Sequence, residues 1–455
     1  MYMISAVLIT VSFFLSTVED LINGMLRITF ASDILITDYM EIAGVGAAFF
    51  NAGCVTLITL LLMRLCKLPM HGNGISTASL MAGFSFFGKN IVNMWFMLPG
   101  TILYAHIRKE PLSKYLTFSL MSTSLGPLIS SLLFANGFSG KSFLLALLTG
   151  TVIGFVAPPL CIHTNTLLHG LNLYNGGFAI GLLAMVLGSI FKCFGYTFEA
   201  QMYWYTGHNM ELAIGLYLIA AGTVLYGLYH DSAHILRRYR MLLRRPGVPG
   251  HDFIELDGMG AVCMNIGVNL AFSVTLLLLV GGDLNGATIG ALLTIAGFSA
   301  KGKHVGNIAP VMFGVLISVA VTGRALSPAS QLALLFSTTL APVAGTYGIA
   351  AGLAAGFLHS CVALYAGAGY SGLNLYNNGF AGGIVSIVLY AVLSGFLKPN
   401  TFCEPSVIPE EMCIRDRHSI PPFPTVPRKP ACTCSVPGRA PDAYLQLPLL
   451  FPHSF

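Results

Sequence analysis

Charge is scarce in this chain: Asp, Glu, Lys and Arg together make up 9% of its 455 residues, against roughly 25% in soluble domains. With 55% hydrophobic residues and a positive mean hydropathy, that scarcity excludes an ordinary water-soluble domain and implies a polytopic membrane protein. Paired cysteines are missing too. Seven of the ten cysteines stand singly ahead of residue 404, with no CxxC pair and no histidine at metal spacing, so neither a disulfide framework nor a zinc site is expected. No Walker loop, GxSxG elbow, HExxH or dinucleotide fingerprint occurs, which argues against ATP-driven pumping by this chain alone. Paired carboxylates and a His–Cys set are absent as well. The reading is therefore not an enzyme, with no cofactor, no metal and no nucleic-acid partner.

Long apolar runs are what the chain has. Residues 42–63, 211–229 and 258–280 each supply the roughly 20 apolar residues of a spanning helix. Fifty glycines point to close helix packing or broken helices in lipid. Residues 1–16 lack a basic leader and a small-residue cleavage site, which predicts a first spanning helix rather than a signal peptide. Its start at Met1 leaves open whether the N-terminus is trimmed. From about Glu404 the character changes to proline, arginine and cysteine without helical period, a disordered composition. Within it, EMCIRDR at 411–417 reads as one translated frame of the transposon end used in sequencing-library preparation. Residues 404–455 are accordingly expected to be a non-native tail, with a natural disordered tail as the alternative.

The chain repeats itself. At a spacing of 214 residues, Asp38, Glu41, Gly44, Gly46, Asn51 and Gly53 fall on Asp252, Glu255, Gly258, Gly260, Asn265 and Gly267. GFSFFGKN at 83–90 falls on GFSAKGKH at 297–304, and Asn93 on Asn307. Later the spacing is 202, and GLNLYNGGF at 170–178 returns as GLNLYNNGF at 372–380. A first membrane repeat over 1–210 and a second over 211–400 follow. Loop charge orients them. The 230–251 segment holds Arg237, Arg238, Arg240, Arg244 and Arg245, whereas its counterpart at 17–41 holds five acids and one arginine. Cytoplasmic loops carry excess Lys and Arg, so the arginine-rich loop is expected in the cytoplasm and its counterpart outside. The fold expected is thus an all-α polytopic membrane protein of two inverted repeats. Each has about five spanning helices (near 3–20, 42–63, 115–134, 142–160 and 172–192, then 211–229, 258–280, 329–345, 346–366 and 374–397). Each also has a re-entrant hairpin, at 73–106 and 284–321.

Polar backbone within a bilayer is tolerated only where it is buried in protein or lines an aqueous cavity. The hairpin phrases therefore nominate Phe84, Ser85, Asn90, Asn93, Phe298, Ser299 and Asn307 as pore-lining or solute-binding residues. Lys89 and Lys303 are either a counter-charge for substrate or snorkelling residues at the head groups. The LNLYN phrases add Asn172, Tyr174, Asn175, Asn374, Tyr376 and Asn377. Their amides both donate and accept, which suits a small uncharged polar solute; the competing account is capping of the helix that follows.

The paired GFSxxGK and GLNLYNxGF phrases resemble a bacterial family of duplicated membrane proteins known only as a domain of unknown function. LHGLNLYNGGFAIGLL at 168–183 is similar to the phrase that opens the fifth helix of urea transporters. That likeness implies inverted repeats of five helices with a pore half-helix, assembled as a trimer. One extra residue between Asn175 and Gly181 and the lack of a selectivity-filter signature depart from that pattern. Together these readings give a multi-pass permease or channel-like transporter of the bacterial inner membrane, acting on a small polar solute and forming a homo-oligomer. A proton- or sodium-coupled transporter and an intramembrane enzyme are the alternatives. Resequencing the locus from intact genomic DNA should show the reading frame leaving this sequence before Arg417; a continuous frame through Arg417 would make the tail native.

Overall fold

The computed structural model describes residues 1–135 and 137–399; the tail expected at 404–455 lies outside them. Among the described residues the first half contains ten α-helices. They are α1 (Tyr2–Leu15), α2 (Val18–Phe30), α3 (Tyr39–Ala43), α4 (Val45–Leu65), α5 (Gly72–Phe84), α6 (Leu98–Arg108), α7 (Leu116–Ser122), α8 (Gly126–Phe134), α9 (Gly140–Leu167) and α10 (Asn175–Cys193). Ten more answer them in the same order: α11 (Asn209–His230), α12 (Ile235–Leu242), α13 (Phe253–Asp257), α14 (Met259–Leu279), α15 (Gly286–Phe298), α16 (Val305–Val321), α17 (Pro328–Phe336), α18 (Ala341–Tyr347), α19 (Ile349–Ala366) and α20 (Asn377–Phe396). The spacing of the sequence repeat thus reappears as a helix-for-helix repeat. Among the described residues there is no β-strand, only one isolated bridge between Thr37 and Tyr203. Among the described residues eight spans are long and apolar enough to cross a membrane, with α7 and α8 counted together as one, or nine if the bent α1–α2 pair is also a span.

The expected first crossing at 3–20 is shorter. Ser16 is extended, Thr17 caps α2 through a reciprocal box with Asp20, and the chain turns by 117°. Helix α2 then leaves Val18, Ile22, Leu26 and Phe30 exposed; a residue every fourth position forms one apolar stripe along the helix. The segment at 230–251, expected as loop, contains α12. Arg245 holds it against α13 through two bonds to Asp257, Nε–Oδ2 at 2.7 Å and Nη2–Oδ1 at 3.0 Å. The last helices of the halves begin at Asn175 and Asn377, three residues later than expected, because the LNLYN phrases are extended turns.

At the centre lie the two hairpins, α5–α6 and α15–α16, where the sequence placed them. Their first arms have 13 residues each, about 20 Å of helix at 1.5 Å per residue, short of the roughly 30 Å hydrocarbon core. The two arms pack on each other, and equivalent arms run antiparallel. Ser76 and Ser79 of α5 meet Gly297 near the end of α15, while Gly83 near the end of α5 meets Gly290 in the first half of α15. A Cβ at Gly83 would stand 2.4 Å from the Gly290 carbonyl oxygen, and one at Gly290 2.5 Å from that of Gly83. Only glycine allows that approach. Gly83→Val should therefore lower the thermal unfolding midpoint in detergent, with an overpacking cost of roughly 1–3 kcal/mol. Gly222→Val on α11, where a Cβ meets nothing within 4 Å, should leave it near wild type.

Candidate functional site

Each hairpin turn is braced from its own half. Asn51 on α4 donates to the carbonyls of Ser85 (2.7 Å) and Lys89 (2.9 Å). Asn265 on α14 donates to those of Ser299 (2.8 Å) and Lys303 (2.7 Å). Asn93 and Asn307 close the turns from behind, donating to Gly88 O at 3.0 Å and Gly302 O at 2.9 Å. The expected pore roles of Ser85 and Ser299 are not what the geometry presents. Their hydroxyls donate back to Met81 O (2.6 Å) and Ile295 O (2.8 Å), so they face their own helices. Asn90, Asn93 and Asn307 are likewise occupied in the turns. Asn90 and Asn93 also donate to Asp33 Oδ2, both at 3.0 Å, where Ser130 joins them at 2.5 Å. Asp33 has no equal in the second half, where Gly247 takes its place.

Further anchors cross from one half to the other. Asp38 accepts from the Gly286 amide at the start of α15 (3.2 Å), and Asp252 from the Gly72 amide at the start of α5 (2.6 Å). Leu173 N donates to Thr339 O (2.9 Å), and Leu375 N to Ser124 O (3.0 Å). In the LNLYN phrases, Asn172 and Asn374 each accept from the amide two residues on, at 3.1 Å. These are Asx turns that end at Tyr174 and Tyr376, the residues ahead of α10 and α20, and neither helix start receives a side-chain cap bond, so the expected capping of the following helix is not what the geometry presents. The Asn172 amide group also reaches Gly379 O in the other half (3.1 Å). Asn175 and Asn377 donate to Cys161 O and Ala363 O, both at 2.9 Å. This ties α10 to α9 and α20 to α19.

Tyr174 and Tyr376 make the exchange complete. The Lys89 ammonium, fully buried, donates to Tyr376 OH at 2.5 Å and touches Met81 Sδ at 3.3 Å. The Lys303 ammonium, also fully buried, donates to Tyr174 OH and to Thr338 Oγ1 at 2.7 Å. Each lysine thus comes from one half and its tyrosine from the other. The rings are close as well: Lys89 Nζ lies 4.7 Å from the Tyr376 centroid, and Lys303 Nζ 4.4 Å from that of Tyr174, within cation–π range. Among the described residues the ion pairs use other side chains, and no carboxylate pairs with either ammonium. Snorkelling to head groups is therefore not what these lysines do.

Between the tyrosines lies a central gap of ≈ 20 Å³, walled by Phe84, Phe298, Tyr174 and Tyr376 among others. A cavity of ≈ 770 Å³ shares Met121 and Gly176 with it, and one of ≈ 250 Å³ shares Phe336, Leu375 and Asn378. Met121 and Phe336 are equivalent positions in the two halves, as are Gly176 and Asn378. The larger cavity is bounded by the ends of α4 and α9, the smaller by the loop before α3 and the end of α19. The result is an hourglass with its waist at the tyrosine pair. Asn172 and Asn175 line the larger chamber and Asn377 the smaller. On the rim of the larger one, His71, Asp252 and Glu255 bring one ligand atom each within 4.8 Å of the others. Both Asp252 oxygens already accept backbone amides, so this cluster anchors α5 and is no built metal site.

Sequence reasoning missed the roles of Asn51, Asn265, Asp38 and Asp252, although all four are repeat matches. It did not name Thr338, and it counted Asp33 only as one of the five acids at 17–41. Repeat spacing could have found the first four; nothing local marks the other two.

The fold and its centre define a polytopic α-helical membrane protein made of one unit used twice. A family model described as "Protein of unknown function (DUF1576)" matches residues 17–193 and 231–395, and the chain belongs to that family. No curated protein and no solved structure matches it, so the urea-transporter likeness gains no support from them.

Removing a tyrosine hydroxyl leaves a buried ammonium short of an acceptor, a loss of roughly 1.5–3 kcal/mol for a bond to a charged group. Tyr376→Phe leaves Lys89 with a thioether alone, whereas Tyr174→Phe leaves Lys303 with the Thr338 hydroxyl. Thermal unfolding in detergent should therefore show the larger drop for Tyr376→Phe, and adding Lys89→Met should recover part of it. Equal drops without recovery would mean that the hydroxyls do not hold the ammonium groups.

Proposed function

We propose that this protein is a permease that passes a small polar solute along the two-fold path between its halves. The observation that carries the reading is the pair of cavities meeting at one waist through equivalent residues, Met121 with Gly176 on one side and Phe336 with Asn378 on the other. Antiparallel packing of the equivalent arms α5 and α15 supports an inverted repeat, the architecture in which transporters place their solute site where broken helices meet. The arginines on and around α12 favour a cytoplasmic side for that loop, since cytoplasmic loops carry excess Lys and Arg. The larger cavity, bordered by Pro249 and Gly250, then opens inward and the smaller outward. The waist is narrow enough that passage requires the Met121 and Phe336 side chains to move aside.

Osmotic re-swelling of proteoliposomes tests this. With a panel of small neutral solutes and small salts, at least one should enter about tenfold faster than into protein-free vesicles, a barrier difference near 1.4 kcal/mol. Phe336→Ala should speed that solute and Met121→Trp should slow it. No solute above the protein-free rate, or variants that leave the rate unchanged, would remove the pathway.

A further inference from the structure

We propose that the solute is a small monovalent anion, attracted to the waist by Lys89 and Lys303 acting through the hydroxyls of Tyr376 and Tyr174. This rests on the permease reading above and goes beyond it by fixing the charge of what passes. Two ammonium groups lie fully buried on either side of one gap, and neither has a carboxylate partner. An intramembrane charge is costly, so in general it pairs or marks a solute path. Here the pairing groups are neutral: two phenols, one threonine hydroxyl and one thioether.

Each phenol oxygen accepts from a lysine and keeps its own hydrogen to give. Both tyrosines line the gap, and their hydroxyls, each polarised by the lysine it accepts from, would be the donors to an anion there. A cation there would meet like charge. An uncharged solute would leave both ammonium groups uncompensated, whereas an anion offsets them, as basic residues do in anion-selective pores. The walls contributed by Phe84, Phe298 and Phe336 and a volume of ≈ 20 Å³ limit it to a few atoms. They also disfavour a doubly charged ion, whose desolvation cost rises steeply with charge. The chambers fit this assignment. Among the residues lining the smaller one none is charged. In the larger one Lys114 is paired with Glu110, and Lys301, donating to Asn73, stands with His71 opposite Asp252 and Glu255. Asp33 and Asp38, the other buried acids near the hairpins, are held by Tyr39, Asn90, Asn93 and Ser130 and by backbone amides.

The test compares proteoliposomes of the full chain in potassium chloride, nitrate and formate, with valinomycin balancing charge, against the same vesicles in urea and formamide. At least one of the three anions should drive re-swelling about tenfold faster than either neutral solute. Lys89→Met with Lys303→Met should abolish that advantage. Replacement of buried charge by an apolar side chain of similar length generally preserves folding, and elution as a single species checks it. Fast entry of urea or formamide with none of the three anions would overturn the anion assignment while the pathway stands. Entry of neither class would overturn the pathway and this assignment together. Unchanged anion entry in a well-folded double variant would show that the lysines do not select. Should the double variant not fold, the ranking of anions over neutral solutes in the wild type decides alone.

Discussion

A helix of thirteen residues cannot cross a bilayer, and the centre of this molecule is organised by how two such helices are held. The free amides at their starts and the unpaired carbonyls at their ends would be ruinous in hydrocarbon. Asp38 and Asp252 take the first, and Asn51 and Asn265 take the second. The aspartates reach across to the opposite half while the asparagines stay within their own. Each hairpin is therefore half supported by its own repeat and half by the other. The lysine–tyrosine contacts follow from the same arrangement, since a turn that ends at the middle of the structure brings Lys89 and Lys303 there with it.

Much of this was legible because polar residues are rare in such a chain and few of them recur by chance. The pairs Asp38 with Asp252, Asn51 with Asn265, and Asn93 with Asn307 gave the repeat, and the short apolar pieces around GFSFFGKN gave the hairpins. Phe84, Phe298, Tyr174 and Tyr376 were named as candidate pore residues, and all four lie around the central gap. Ser85 and Ser299 were named because the hairpin phrase recurs, but a hydroxyl at the last turn of a helix has a nearer acceptor in the carbonyl four residues back. Helix α2 was hidden because its apolar residues recur at three- and four-residue spacing between polar ones rather than in a run, and so resemble a polar loop on a hydropathy scale.

Which half partners which could not be read from order along the chain. Tyr174 and Lys303 are 129 residues apart and Tyr376 and Lys89 are 287 apart, and only the packing of α5 on α15 and α10 on α20 brings them together. At the α10–α20 crossing Gly177 and Gly379 sit so close that a Cβ on either would lie 3.0 Å or less from the other's Cα. Phe178 and Phe380 stack beside it, their centroids 5.9 Å apart. The local signal at Gly88 is of the same kind. Its φ of +94° and the Leu375 methyl 2.3 Å from where its Cβ would be demand glycine for a reason lying in the other repeat.

Asp33 shows what having both repeats in one polypeptide permits. A pair of identical subunits would have to place the same residue at both equivalent positions, and a carboxylate set behind one turn would be set behind the other. Here the first position holds Asp33 within a ring of four donors, and the second holds Gly247, whose absent side chain leaves Gly302 O and the Asn307 amide at contact distance. Covalent linkage has thus separated the two sites' histories: one turn can be changed in charge without changing its twin, and the two mouths of the molecule are free to become chemically unlike.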